Sequence, residues 1–269
     1  MTYRWALHAY SLALRNLISY RVDFWVSFLG TLVVQVMVAY FLWSSIFELR
    51  GVSEIGGYTF ELLIFYYVLA PLVEKSTMAD AWTNISDDIY QGTLTRYIVY
   101  PMPVLPHKYL THLAKTTVGL MQLFLTLGVL ALFFDLPPGL NVSPLSALQA
   151  LVIIFAASYL FFIINLATEM VAFWADNVWS LLVMLKFAVS ILGGGYFPLT
   201  FFGDRARAIL ELLPFSFFIS FPIRCFRGDV GMAEWIQGLV LIFAWSVAFT
   251  IVAQVIWARG SKNYAGVGQ

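Results

Sequence analysis

The sequence predicts an all-α polytopic membrane protein with six transmembrane helices, and three observations carry that prediction. Six apolar stretches, separated by short polar connections, fill most of the 269 residues. The clearest are Val22–Phe47, Thr116–Phe134, Ala147–Phe173 and Leu239–Trp257, while Tyr58–Val73 and Val178–Tyr196 are shorter or interrupted. A helix needs roughly 20 mostly apolar residues to cross a hydrocarbon core of about 30 Å. Composition agrees: 61% of residues are hydrophobic, 17% aromatic and only 11% charged, with a mean hydropathy of +0.83. A soluble domain of this length cannot bury that much apolar surface. Finally, the apolar runs are continuous rather than alternating with period two, which sets aside a membrane barrel.

The same numbers exclude several function classes. Fifteen basic and fifteen acidic side chains cancel, so the chain lacks the basic character that nucleic acid requires. The longest polar connections leave no room for a soluble domain. The single cysteine, Cys225, cannot form an intrachain disulfide.

One transmembrane domain is expected over residues 1–269, beginning with an interfacial helix at 1–21. Arg4, His8, Ser11, Arg15 and Ser19 fall on one helical stripe, and Leu7, Tyr10, Leu14, Leu17 and Ile18 on another. Such a helix lies in the headgroup region, its Arg4 and Arg15 reaching outward, and it differs from a cleavable signal because its charges are spread along it. A basic leader that merely sets topology is the plainer alternative. The spans are expected at 22–47, 58–78, 108–134, 146–173, 177–196 and 234–258.

Charge sets the orientation. With the amino terminus in the cytoplasm, Arg4, Arg15, Arg21, Arg96, His107, Lys108, Arg259 and Lys262 all fall inside, and the connection Asp135–Asn141 outside carries no Lys or Arg. Both termini are then cytoplasmic. Arg205, Arg207, Arg224 and Arg227, between the fifth and sixth spans, run against this rule, as does Arg50 in the first outer turn.

Two connections carry more information than the rest. At 83–100, Asn84, Ser86 or Asp87 is placed to cap a short helix whose apolar side is Ile85, Ile89 and Leu94. Gly92 interrupts it, Pro101, Pro103 and Pro106 end it, and its polar face holds Asp87, Asp88, Gln91 and Arg96. A docking helix and a solvated connector both fit these residues. At 197–231, after Gly193, Gly194 and Gly195 and the turn at Pro198, Asp204 is placed to cap a short helix ended by Pro214, and the aromatic run Phe215–Phe221 follows, including Phe218. Apolar pieces too short to span, bounded by prolines, read as re-entrant or interfacial helices. The glycines serve either close packing or hinge motion. Phe215 and Phe218 serve either an outer gate or anchoring in the interface.

Charges within the spans need a partner or a route to water, because each costs roughly 2.5–3.5 kcal/mol at the bilayer centre. Glu61, Glu74, Lys75, Glu169 and Lys186 are such charges. Lys186, the deepest, and Glu169 either line a substrate path or form an interhelical ion pair, or the lysine extends toward the interface.

No phosphate-cradling Gly-x-x-x-x-Gly-Lys-Ser/Thr loop, His-Glu-x-x-His zinc site or Gly-x-Ser-x-Gly elbow occurs, and the three histidines lack metal-ligand company. No catalytic, cofactor-binding or metal-binding residue is therefore expected in this chain.

Ile85–Pro101 (ISDDIYQGTLTRYIVYP) resembles the I-x-x-G-x-L-x-x-x-L-x-x-P stretch of the membrane-spanning subunits of type-2 ATP-binding-cassette (ABC-2) exporters, in their bacterial six-span branch. Gly193–Pro222 is similar to that family's glycine–proline turn, short outer helices and LPF…P run, and Arg21-Val22-Asp23-Phe24 is similar to its entry into the first span. The chain departs from the pattern at Tyr97-Ile98-Val99-Tyr100, where the branch often has leucine and arginine. The resemblance implies a coupling helix between spans two and three and re-entrant outer helices between spans five and six. It also implies a second permease subunit, identical or related, and two separate ATPase subunits that hold ATP and Mg. Asp87, Asp88, Gln91, Gly92 and Arg96 are the implied ATPase contacts, in the bacterial inner membrane among its lipids. A non-transporting membrane anchor for a cytoplasmic ATPase complex is the competing reading, and an integral membrane enzyme a third.

Overall fold

The computed structural model describes residues 4–19, 21–79, 84–95, 104–133, 135 and 137–263. Among them are ten α-helices and no strand. In chain order they are α1 (Arg4–Ser19), α2 (Arg21–Arg50), α3 (Phe60–Met78), α4 (Ile85–Tyr90), α5 (Val104–Phe133), α6 (Pro144–Glu169), α7 (Trp179–Leu192), α8 (Asp204–Leu212), α9 (Ser220–Arg227) and α10 (Met232–Asn263). The chain is an all-α, multi-pass membrane protein.

Four helices are long and apolar enough to cross a bilayer: Phe28–Arg50 within α2, α5, α6 with its 3-10 extension to Phe173, and most of α10. The other two expected spans differ for physical reasons. The nineteen residues of α3 reach about 28 Å, close to the hydrocarbon thickness. They carry Glu61, Glu74 and Lys75, and Pro71 interrupts the helix. The fourteen residues of α7 reach only about 21 Å, because the chain leaves the helix at Gly193.

Burial sorts the helices into inner and outer. In the most apolar stretch of α6, 61% of residues are buried, against 11% in α2 and 17% in α10. The core therefore lies around α3 and α6, with Leu63, Tyr66, Leu69, Leu72, Ile153, Leu160, Phe161 and Leu166 fully enclosed. α3 and α5 approach closely because Gly119 lies against the Ser76 backbone, where a Cβ would sit 2.9 Å from the Ser76 Cα. A glycine at such a crossing is the membrane-helix device for tight packing. α6 starts on a reciprocal cap: the Ser143 hydroxyl accepts from the Ser146 amide, the Ser146 hydroxyl accepts from the Ser143 amide, and Pro144 occupies the first turn.

The amphipathic α1 packs along α5, and the Tyr10 hydroxyl donates to Thr117 Oγ1 at 2.9 Å. Tyr10, Leu14 and Leu17 are half-buried, while Arg15 and His8 are exposed, as are Leu7 and Leu12. The Arg4 side chain lies outside the described residues.

Candidate functional site

The short helix α4 starts without a local cap. Asn84 occupies the capping position but in the left-handed region (φ 58), and its side chain makes no capping hydrogen bond. The cap comes instead from another helix. Glu169, at the end of α6 and fully buried, accepts hydrogen bonds through Oε2 from the amides of Ile85 at 2.8 Å and Ser86 at 3.3 Å. Its Oε1 accepts from Asn165 Nδ2 at 2.8 Å, one helical turn earlier. A buried carboxylate needs such donors, and the free amides of a helix's first turn supply them at the positive end of its dipole.

The two rows of α4 then face opposite ways. Ile85, Ser86, Asp88 and Ile89 are buried, while Asp87, Tyr90 and Gln91 are exposed. Asp88 does not belong to the outward row: it accepts from Lys108 Nζ of α5 at 2.7 Å, the two side chains being 12% and 11% exposed. Thr93 Oγ1 donates to Asp88 Oδ1 at 3.0 Å, bracing the turn that follows. Gly92 makes that turn at φ 68, a conformation that favours glycine, and Leu94 is buried behind it. Burial, with the nearby carboxylates of Asp176 and Asp87, keeps the Tyr90 hydroxyl above its ordinary range. Arg96 and Thr83 lie outside the described residues.

Glu169 and Lys186 are not brought together as an ion pair among the contacts described. Lys186 is exposed on α7, and the carboxylate that feels its charge is Glu74 of α3.

At the other end of α3, the glycines are contact points. A Cβ on Gly193 would meet the carbonyl oxygens of Val189 and Phe215, and one on Gly195 would sit 3.0 Å from Ser190 O. Gly194 adopts φ 92, and its carbonyl accepts from the buried Tyr66 hydroxyl. Next to it, Tyr67 donates to Tyr196 O at 2.7 Å, and Ser220 N donates to Gly193 O at 3.0 Å. Pro198 is buried at the start of the turn Leu199–Phe201. Gly203 rather than Asp204 occupies the capping position of α8, which leaves Asp204 in the first turn.

The aromatic run enters the bundle. Phe217, Phe218, Ile219 and Ile223 are buried against α3 and α6, and the Phe218 carbonyl accepts from Thr77 of α3 at 2.8 Å. Phe215 is half-buried. Three of the four arginines at 205–227 that offend the charge rule are ion-paired here. Arg207 meets Glu211 at 2.8 Å, Arg224 meets Glu211 at 3.2 Å and Glu234 at 2.7 Å, and Arg227 meets Asp229 at 3.1 Å.

A groove of about 630 Å³ between α6 and α10 adds a feature that the sequence reading missed. Tyr159, Ser246, Thr250 and Gln254 put polar groups along an otherwise apolar lining. Among the described residues, no group of three or more His, Cys, Asp or Glu side chains is placed to hold a metal ion.

A family model described as ABC-2 family transporter protein matches residues 33–268. No curated protein and no solved structure matches the chain.

Proposed function

The chain belongs to the ABC-2 transporter family, and on that footing we propose that it is the permease subunit of an ATP-driven exporter. It works beside a second permease, identical or related, and is driven by two separate ATPase subunits that bind ATP and Mg. It sits in the bacterial cytoplasmic membrane with both termini and α4 inside. The six crossings are α2, α3, α5, α6, α7 and α10, with the folded-back segment 193–228 completing the short fifth one.

The observation that carries this reading is the two-sidedness of α4. Its outward row is exposed, and its inward row is fastened to α6 through Glu169 and to α5 through Lys108. A push on Asp87, Tyr90 and Gln91 therefore reaches two long helices through short polar contacts, as a bistable coupling element requires. Gly92 supports the sharp turn that keeps the outward row at the surface. The mainly apolar groove between α6 and α10, with Tyr159, Ser246, Thr250 and Gln254 along it, supports a translocation path at the junction with the second permease. The exposed apolar faces of α2 and α10 suit lipid or that same neighbour.

The test is reconstitution with the cognate ATPase. The assembled complex should hydrolyse ATP in liposomes, and the chain alone should not. Replacing Asp87, Tyr90 and Gln91 together with alanine should release the ATPase while leaving the thermal transition of the permease in place. Undiminished ATPase association in that variant would remove the proposed docking row.

A further inference from the structure

At the end of the bundle away from α4, two cavities share a wall. One, of about 280 Å³, is polar and is lined by Tyr58, Thr200, Arg207, Arg224 and Arg227 among others. The other, of about 330 Å³, is mostly apolar, with Ala208, Leu212, Phe217, Phe221 and Leu241 in its lining. Leu199, Glu211, Ser220 and Arg224 line both. The Arg224–Glu211 pair thus stands between a basic chamber and an oily one.

The basic chamber has more donor capacity than its internal contacts use. Its arginines pair with Glu211 and Asp229 of the same lining and, from Arg224, with Glu234 of the adjoining chamber, and the Arg224 and Arg227 side chains are 17% and 11% exposed. Three guanidinium groups carry about fifteen N–H donors. They make three hydrogen bonds to carboxylates, and one oxygen, Glu211 Oε1, serves both Arg207 and Arg224. Arg227 lies over the Tyr58 ring at 4.7 Å. Of the lining polar atoms, Thr200 Oγ1 is buried without a hydrogen-bond partner, and Arg227 Nε lies 3.1 Å from Asp229 Oδ2 without making an aligned hydrogen bond to it. Buried donors left unmet are costly, and a multi-oxygen anion satisfies several at once.

We propose that the double chamber binds an amphiphile with a phosphate-class head. The head sits among Arg207, Arg224 and Arg227, whose planar forks suit phosphate oxygens. The apolar portion lies in the adjoining chamber between α8, α9 and α10. A free phosphate would use only the first chamber, and the shared wall is the reason for preferring the amphiphile. The proposal holds whether or not α4 docks an ATPase, because it concerns the isolated chain at the opposite end of α3.

The test is native mass spectrometry of the purified full chain in neutral detergent. Three probes are used: phosphatidic acid, diacylglycerol with the same tails, and inorganic phosphate. Arg207→Gln and Ala208→Trp are both on α8 at partly or fully exposed positions, so the fold tolerates them. The proposal expects one phosphatidic acid per chain, about tenfold weaker in either variant, no comparable retention of diacylglycerol, and no displacement by millimolar phosphate. Equal binding of diacylglycerol would overturn the role of the arginines. Phosphate binding as tight as that of phosphatidic acid, indifferent to Ala208→Trp, would make this a small-anion site and overturn the amphiphile. Unchanged phosphatidic acid binding in both variants would remove it from the chambers.

Discussion

Glu169 closes the amino end of a helix that begins at Ile85, eighty-four residues earlier in the chain, with a 2.8 Å hydrogen bond to the Ile85 amide. Its second bond to Ser86 and its anchor on Asn165 make the carboxylate a joint between α6 and α4. An acid that reads as a membrane liability is thereby the fastening of α4.

Glu169→Ala should therefore loosen α4 from the bundle. Removing a buried charged acceptor leaves two amides unmet, at about 1–3 kcal/mol. Hydrogen–deuterium exchange at residues 85–90 should quicken well before that of the α6 core, and Glu169→Gln should fall between wild type and alanine. Unchanged protection of 85–90 in the alanine variant would mean that α4 is held by its apolar contacts alone.

Neighbouring aspartates on α4 should behave in opposite ways. Asp88 is paired and enclosed, so Asp88→Ala removes the carboxylate bonded to Lys108, a change that costs up to about 3–5 kcal/mol at well-buried pairs. Asp87 is exposed, and Asp87→Ala should shift stability by no more than about 0.5 kcal/mol. Thermal unfolding in detergent separates the two. ATPase association should show Asp87→Ala as the defective variant even though its fold is intact.

The glycines should also divide by position. At Gly193 an added Cβ meets backbone oxygen on two sides, so Gly193→Ala should cost about 1–3 kcal/mol. Gly128, mid-helix in α5, has nothing within 4 Å, and Gly128→Ala should be neutral or stabilising by up to about 1 kcal/mol. Thermal midpoints of the two variants check this directly. A neutral Gly193→Ala would revive the hinge reading of the triple glycine.

Removing the Tyr66 hydroxyl probes the link between α3 and the outer segment. Tyr66→Phe keeps the ring but leaves the Gly194 carbonyl without its donor, at about 1 kcal/mol. Exchange at residues 193–196 should quicken, with little change at the Glu169 end of the molecule. Equal loosening at both ends would make the two sites one cooperative unit.

The apolar runs made the long helices legible because continuous hydrophobic sequence leaves an α-helix as the way to satisfy the backbone in lipid. Where the reading ran short, long-range contacts decided the outcome. Capping is ordinarily local, which points to Asn84, Ser86 or Asp87, yet the cap of α4 comes from Glu169. Asp88 counts with Asp87, Gln91 and Arg96 as part of one polar face when polarity alone is read. Helical spacing alone sets it beside Ile85, three residues earlier, and puts Asp87 with Tyr90 and Gln91. That signal was in the sequence. The basic and apolar chambers were not, because they assemble Tyr58, residues 199–227 and the start of α10 from separate parts of the chain. The arginines were visible only as exceptions to the charge rule.

The central claim is that α4 meets a cytoplasmic ATPase through its outward row alone. Cysteine introduced at position 87, 88 or 91, in a chain whose native Cys225 is buried, can be cross-linked to the co-expressed ATPase in membrane vesicles. Asp87→Cys and Gln91→Cys should form the adduct, and Asp88→Cys should not. Labelling of position 87 by an impermeant reagent from the outer side of the membrane, with no adduct to the ATPase, would contradict the account.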